Sequence, residues 1–268
     1  MKLWMLGSGS RGNAVLIECD ETRILIDCGF GTRTLAGRLE TIGVAPDSID
    51  TCLITHEHTD HVKGAVSAAK KWGWDLHATM GTARAAGLGR RVHHITAGST
   101  VDLPRMTVTA TNTPHDASES VGFVIESRST GARAGVFYDI GYVTRGIAKA
   151  CAPVDILVIE SNHDVEMLEN GSYPVALKRR IASRVGHLSN PDAARFAKEM
   201  VHRGLEHVVL AHLSEENNTP AVAVATMRQA MAKTRFTGAI TAANQDAVVG
   251  PFTPSGARAE KPAQYSLF

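Results

Sequence analysis

The residues Thr55-His56-Glu57-His58-Thr59-Asp60-His61 follow directly on the apolar run Cys52-Leu53-Ile54. Three imidazoles beside Asp60 are costly as packing, because each needs a polar partner if buried and they repel one another once protonated. A shared cation removes both difficulties. The chain therefore has to carry the end of a strand at 51–55 up against further metal-ligating groups. In an extended loop, residues i and i+2 project the same way, so His56 and His58 can share one cation while Asp60 and His61 turn towards a second. The pattern is not the helical H-E-x-x-H zinc motif, since Asp60 stands four residues after His56 and His61 four after Glu57. Glu57 is then no general base of that kind, and either faces solvent or orients a ligand.

Such a site needs ligands from later strand ends, and candidates stand where apolar runs stop: His115 after 106–114, Asp139 after Gly135-Val136-Phe137-Tyr138, and His212 after Val208-Val209-Leu210-Ala211. His56, His58 and His115 make one set; Asp60, His61 and His212 make another. Asp139 bridges them, with room between two cations for a water or hydroxide. Alone, His115 or His212 would read as a hydrogen-bonded surface histidine and Asp139 as a turn former before Gly141. The cluster at 56–61 outweighs those readings.

Around these residues the chain reads as short strands at 2–6, 14–19, 23–27, 51–55, 75–78, 106–113, 120–127, 133–138, 154–160 and 207–211. Helices are predicted at 32–42, 64–72, 81–87, 173–185 and 190–203, the last with Asn190 as N-cap, or Ser189 before it, and Pro191 behind, and after Thr219-Pro220. Two successive series of strands and helices indicate an α/β sandwich, two sheets with helices outside. At 268 residues and 44% hydrophobic content, one domain at 1–250 is expected, followed by a Pro- and Ser-containing flexible tail at 251–268. The formal charge of +1 gives no global signal for a polyanion partner. The N-terminal apolar run is too short for a signal peptide and no stretch is long enough to span a bilayer, so a cytoplasmic location is expected. Cys19, Cys28, Cys52 and Cys151 form no C-x-x-C pair and read as buried free thiols.

H-x-H-x-D-H after an apolar strand, a later His, a strand-end Asp with Gly close behind and a final strand-end His resemble the metallo-β-lactamase fold superfamily. The resemblance implies an αββα sandwich of two mixed sheets with helices on the outer faces and a hydrolase with two divalent metal ions, Zn2+ or Mn2+. More narrowly, Gly7-Ser8-Gly9-Ser10-Arg11-Gly12-Asn13, Thr113-Pro114-His115-Asp116-Ala117, Glu160-Ser161-Asn162-His163-Asp164, Gly186-His187-Leu188-Ser189-Asn190 and His212-Leu213-Ser214-Glu215-Glu216-Asn217-Asn218 look like the YycJ/WalJ group. That group implies DNA exonuclease activity, expected here in the 5′–3′ direction. Tyr138 departs from the Thr or Ser expected before the Asp.

Two cations lower the pKa of a water between them and neutralise a phosphodiester in flight. Asp60 would ligate and accept a proton from that water, while His187 and His163, resting largely on the resemblance, are the expected proton donors. Ser8, Ser10 and Asn13 of the Gly-Ser loop, with Asn162 and Arg179, are the expected substrate contacts; the loop also reads as a tight turn and Lys178-Arg179-Arg180 as a partly solvated helix face. Trp72 and Trp74 read as packing rather than base stacking. The terminal Gln264-Tyr265-Ser266-Leu267-Phe268 resembles a sliding-clamp-binding peptide, with Gln264, Leu267 and Phe268 as the contacts. RNA is the nearest alternative substrate to DNA, and a small thioester or lactone the next. A di-iron redox module would carry Glu where His58 stands, and a dead scaffold would not keep a full ligand set.

Overall fold

The first half of the chain supplies strands β1 (Lys2–Gly7), β2 (Ala14–Cys19), β3 (Thr22–Ile26), β4 (Thr51–Leu53), β5 (Asp75–Thr79) and β6 (Val92–Ile95). The second supplies β7 (Thr100–Asp102), β8 (Met106–Asn112), β9 (Val121–Ser127), β10 (Arg133–Phe137), β11 (Ile156–Glu160), β12 (His207–Ala211), β13 (Ala239–Ala242) and β14 (Val249–Phe252). In this computed structural model, which describes residues 1–255, they pair into two mixed sheets of seven strands. Their orders are β14-β1-β2-β3-β4-β5-β6 and β13-β12-β11-β10-β9-β8-β7. Gln264, Leu267 and Phe268 lie outside the described residues.

Period-two alternation gives each sheet two apolar faces. Val15, Ile17, Ile24 and Ile26 point inward and meet Met106, Phe123, Ile125, Val136 and Val158 from the opposite sheet. Their neighbours Leu16 and Leu25 point outward, against Leu35 and Leu39 of α1 (Thr32–Glu40). The short α2 (Thr59–Val62) carries the Asp60-His61 end of the motif, and α3 (Ala65–Trp72) and α4 (Met80–Ala85) complete that outer layer. On the other sheet, α5 (Arg145–Cys151), α8 (Asn190–Glu199) and α9 (Pro220–Met231) cover Phe137, Leu157, Ile159 and Leu210, while α6 (Val165–Asn170) and α7 (Val175–Ile181) lie between β11 and α8 in the chain. The arrangement is the expected αββα sandwich.

Several expectations need correction. The helix at 173–185 shortens to α7. The cap of α8 is Ser189, whose hydroxyl accepts from the Asp192 N–H; Asn190 is buried, accepting from Ser161 and donating to Asn218. A short hydroxyl reaches the N–H three residues on, while the longer Asn190 side chain serves the interior. The boundary at residue 250 falls inside β14, which pairs with β1 through Leu3↔Phe252 and Met5↔Val249, so the folded unit runs at least to Ser255, whose hydroxyl reaches Glu206. Trp74 is buried and donates its indole N–H to the Pro46 carbonyl. All four cysteines are buried free thiols.

The placement of the site follows from strand direction. β3 runs parallel to β4, and β10, β11 and β12 run parallel to one another. Their carboxyl ends therefore open on one edge of each sheet, where α/β folds collect their ligands. Asp27, the 55–61 loop, Asp139, Glu160 and His212 all leave the sheets there.

Candidate metal centre

Three ring nitrogens converge first. His58 Nδ1 lies 3.1 Å from His56 Nε2 and 3.2 Å from His115 Nε2, so three ring nitrogens face one point, where either a shared proton or a cation can sit. His56 is buried, and its desolvation, with His61 nearby, holds its pKa well below the ordinary histidine value; burial lowers that of His115 as well. Both rings are thus neutral ligands in waiting. The loops that carry them are tied together, since Glu57 accepts from the Ser118 N–H at 2.6 Å and His115 Nδ1 donates to the Gly186 carbonyl at 3.2 Å. Glu57 is therefore a brace, in line with one of its two readings.

The second set gathers around His61. Its Nδ1 donates to Asp27 at 2.7 Å, which leaves Nε2 facing Asp60 at 3.2 Å and Asp139 at 3.0 Å. Burial opposes a charge on His61, but Asp139, Asp27 and Asp60 outweigh it and hold the pKa well above normal. His212 repeats the device: Nδ1 donates to Glu160 at 3.2 Å and Nε2 lies 3.4 Å from Asp60. Burial lowers and Asp139 raises the His212 pKa, which ends at about 9. Asp139 stands between the sets: its buried Oδ2 lies 3.0 Å from His61 Nε2 without the alignment of a hydrogen bond, and its Oδ1 lies 3.3 Å from His187 Nδ1 and 3.4 Å from His212 Nδ1. A buried carboxylate oxygen with no aligned hydrogen bond, set among imidazole nitrogens whose protons a cation can displace, fits a cation site. Four groupings within this cluster have ligand atoms all within 4.8 Å of one another, among them His56-His58-His115 and Asp60-His61-His212.

Two carboxylates that the sequence reading passed over hold these rings in place. Asp27 accepts from the Thr55 N–H and hydroxyl, from His61 and from Tyr138 Oη at 2.8 Å. Glu160 accepts from the Ile140 and Leu188 N–H groups, from His212 and from His187 Nδ1 at 2.8 Å. Burial raises the Glu160 pKa but His187 and its hydrogen bonds lower it to about 2. Each carboxylate ends an apolar strand, Ile26-Asp27 and Ile159-Glu160, at the same edge as the ligands, and that position was the available signal. Asp27, Asp139 and His212 also have φ of 60°, 52° and 53°, a left-handed backbone that costs a non-glycine residue roughly 1–3 kcal/mol and persists where surroundings enforce it.

The other expected site residues divide. His187 joins the cluster, with its ring 5.2 Å from that of His212 and its Nδ1 3.3 Å from Asp139. His163 is buried and makes no hydrogen bond through its ring among the described residues; burial lowers its pKa, with Glu160 and His187 acting on it only at longer range. Ser8 and Asn13 are buried braces rather than open contacts: Ser8 Oγ accepts from the His212 N–H, and the Asn13 amide touches Asp60 at 3.2 Å and His61 at 3.1 Å. Asn162 likewise donates to the His212 carbonyl at 2.8 Å. Ser10 is exposed at the loop tip, and Arg179 is exposed on α7. The basic residue that reaches the cluster's rim is its neighbour Arg180, whose Nε lies 2.7 Å from Asp116 beside His115.

Comparison with known proteins agrees with this geometry. Residues 22–213 match the family described as the Beta-lactamase superfamily domain. Exodeoxyribonuclease WalJ of Streptococcus pneumoniae is 34% identical over 242 residues, which is 87% of this chain and 88% of that protein. Exodeoxyribonuclease YycJ of Bacillus anthracis is 30% identical over 240 residues, 87% and 89% of the two chains. The crystal structure of the metallo-beta-lactamase fold protein YhfI from Bacillus subtilis superposes with a TM-score of 0.70 over 92% of this chain and 98% of its own, at 16% identity, and so shares the fold. With the sandwich, the strand-end cluster and these matches together, the chain belongs to the beta-lactamase superfamily.

Proposed function

We propose that the protein is a metal-dependent phosphodiesterase that removes nucleotides from a DNA end, working in the 5′–3′ direction with two divalent cations, Zn2+ or Mn2+. The observation that carries the reading is the pairing of two ligand sets around one buried carboxylate, Asp139, in a chain similar along most of its length to proteins named exodeoxyribonucleases. His56, His58 and His115 would hold one cation; Asp60, His61 and His212 the other, with Asp139 shared. Cations bound there supply Lewis acidity to a water and neutralise charge on the phosphodiester.

The remaining work falls to side chains. Asp60 is the most exposed carboxylate of the cluster, 22% by side chain, and accepts the proton of the attacking water. His187 is open to 23%, and its protonated form is favoured because Glu160 and Asp139 outweigh the effect of burial. With Nδ1 committed to Glu160, Nε2 delivers the proton to the leaving oxygen. That assignment leaves His163, buried and without a hydrogen bond from its ring to the cluster, outside the donor's role.

The test is digestion of 5′- and 3′-labelled duplex DNA, single-stranded DNA and RNA with Mn2+ or Zn2+, beside Asp60→Ala. Progressive loss of DNA from its 5′ end, metal-dependent and abolished in the variant, is expected. No cleavage of any nucleic acid by fully metallated protein would overturn the reading.

A further inference from the structure

The backbone places two loops side by side at the mouth of the cluster. Residues 139–142 leave the sheet just after β10, and residues 184–187 arrive at His187 from α7. They touch at Gly141, where a Cβ would sit 2.3 Å from the Arg184 carbonyl carbon and 2.6 Å from the Val185 nitrogen, so only glycine allows the approach. That contact brings together two side chains of different sequence origin. The Arg184 guanidinium lies over the Tyr142 ring, 4.0 Å from its centroid. Arg184 is exposed and pairs with no carboxylate among the described residues, in contrast to Arg180, which is engaged with Asp116, and Arg11, which is engaged with Glu215 and Asp246.

The cation–π contact restrains the Arg184 guanidinium over the ring, so part of the entropy cost of ordering it for a ligand is already met. The ring supports the guanidinium, and because the side chain is exposed and unpaired with any carboxylate among the described residues, its N–H groups remain open to a ligand. A planar cation of this kind suits a nucleobase stacked on its face with a phosphate oxygen at its edge. Its reach is right as well. Tyr142 is three residues from Asp139 and Arg184 three from His187, so the two backbones lie within about 10 Å of cluster residues, on the scale of one or two nucleotides of an extended strand. The Arg184 loop is also tied to the cluster directly, since Val185 accepts from the Asp116 N–H at 3.0 Å, next to His115.

We infer that Arg184, stacked on Tyr142, is the platform that receives an unpaired base and its phosphate next to the scissile bond. The inference rests on the phosphodiesterase reading and extends it to the way a strand end is seated. Fraying or single-strandedness at the terminus would then favour reaction, because a paired and stacked base has no free face to offer.

The test uses the metal-loaded full-length protein, Arg184→Ala, Tyr142→Ala and Arg184→Lys, with 5′-labelled single-stranded oligonucleotides carrying either a normal base or an abasic site at each of the first two positions. The KM for the normal strand is expected to rise about ten-fold in Arg184→Ala, the order of one lost stacking and phosphate contact. Arg184→Lys keeps the charge without the plane and should recover only part of that. The abasic substitution at the platform position should cost wild type a similar factor and Arg184→Ala almost nothing more. Bound metal, counted by atomic absorption, stays at the wild-type level in all three variants. Unchanged KM in Arg184→Ala, or losses that simply multiply for variant and abasic strand, would overturn the platform while leaving the nuclease reading intact. Failure of metal-loaded wild type to degrade any strand would overturn both.

Discussion

At the scale of the residue, the direction of a lone pair decides what each imidazole can do. His61 and His212 offer Nε2 because their Nδ1 protons are taken by Asp27 and Glu160. Tyr138, the departure from the expected Thr or Ser, supplies one of the four donors that fix Asp27, through a phenol 2.8 Å away and almost wholly buried. Tyr138→Phe should therefore weaken cation binding at the His61 site about ten-fold, the lower range for losing such support, which chelator competition would register as one weakened site of two. Wild-type affinity at both sites would sink this account of Tyr138. Protonation makes a second prediction. In the cation-free protein the His212 pKa is raised to about 9 and that of His61 is raised too, so their bound protons stabilise the fold fully below the unfolded histidine value of about 6.5 and progressively less as pH climbs to about 9. Cations must displace those protons, so metal affinity rises over the same window. Melting of the chelated protein should fall between pH 6.5 and 9 while the metal-induced gain grows, and calorimetry in two buffers should show proton release on binding. The grouping of the seven expected ligands was legible because four share the loop after Cys52-Leu53-Ile54 and three stand where later apolar runs end. Asp27 and Glu160 were not, since a single acid at a strand end looks like any turn residue until the partner rings are seen above it.

At the scale of the element, three loops meet as backbone against backbone. Asn13 donates to the Asp60 carbonyl, Gly29 to the Asn13 carbonyl and Cys28 to the His61 carbonyl, at 2.8, 3.0 and 2.8 Å. A Cβ on Gly29 would lie 1.7 Å from the Asp60 carbonyl oxygen, so Gly29→Ala must push the start of α2 outward. Overpacking of this kind costs roughly 1–3 kcal/mol, or about 3–10 °C of melting temperature for a chain of this size. Because the displaced segment carries Asp60 and His61, the same variant should purify with less metal; a normal melt with full metal content would refute the proposed role of the contact. The elements themselves were legible where burial writes a pattern: the β-branched runs of β2, β9, β11 and β12, and α9 with Thr219 at its cap. They were illegible at the edges. β7 is mostly exposed, so Thr100-Val101-Asp102 shows no apolar face, and β6 holds two exposed histidines between Val92 and Ile95. β14 contains Gly250 and Pro251, which read as breakers and are tolerated only because this strand is the outer one of its sheet.

At the scale of the whole molecule, the cluster joins the two halves of the sandwich. His56, His58, Asp60 and His61 come from the loop after β4, in the sheet built by the first half of the chain, while His115, Asp139 and His212 come from the ends of β8, β10 and β12 in the other. Each proposed cation therefore takes ligands from both sheets and ties them together at the edge where their parallel strands end. A ligand that binds only the folded state stabilises it by mass action, about 4 kcal/mol at a thousand-fold excess over Kd. For 268 residues this corresponds to about 10 °C. Chelation should lower the melting temperature by that order, and because the lost ties span both sheets, hydrogen exchange should speed up at Asp139 and His212 as much as at His56 and His61. His115→Ala separates the sites: it removes the cross-sheet ligand of the His56-His58 set only, so about half of the metal-dependent stabilisation should remain. Exchange that quickens on one sheet alone after chelation would mean that the cations decorate a loop instead of closing the sandwich.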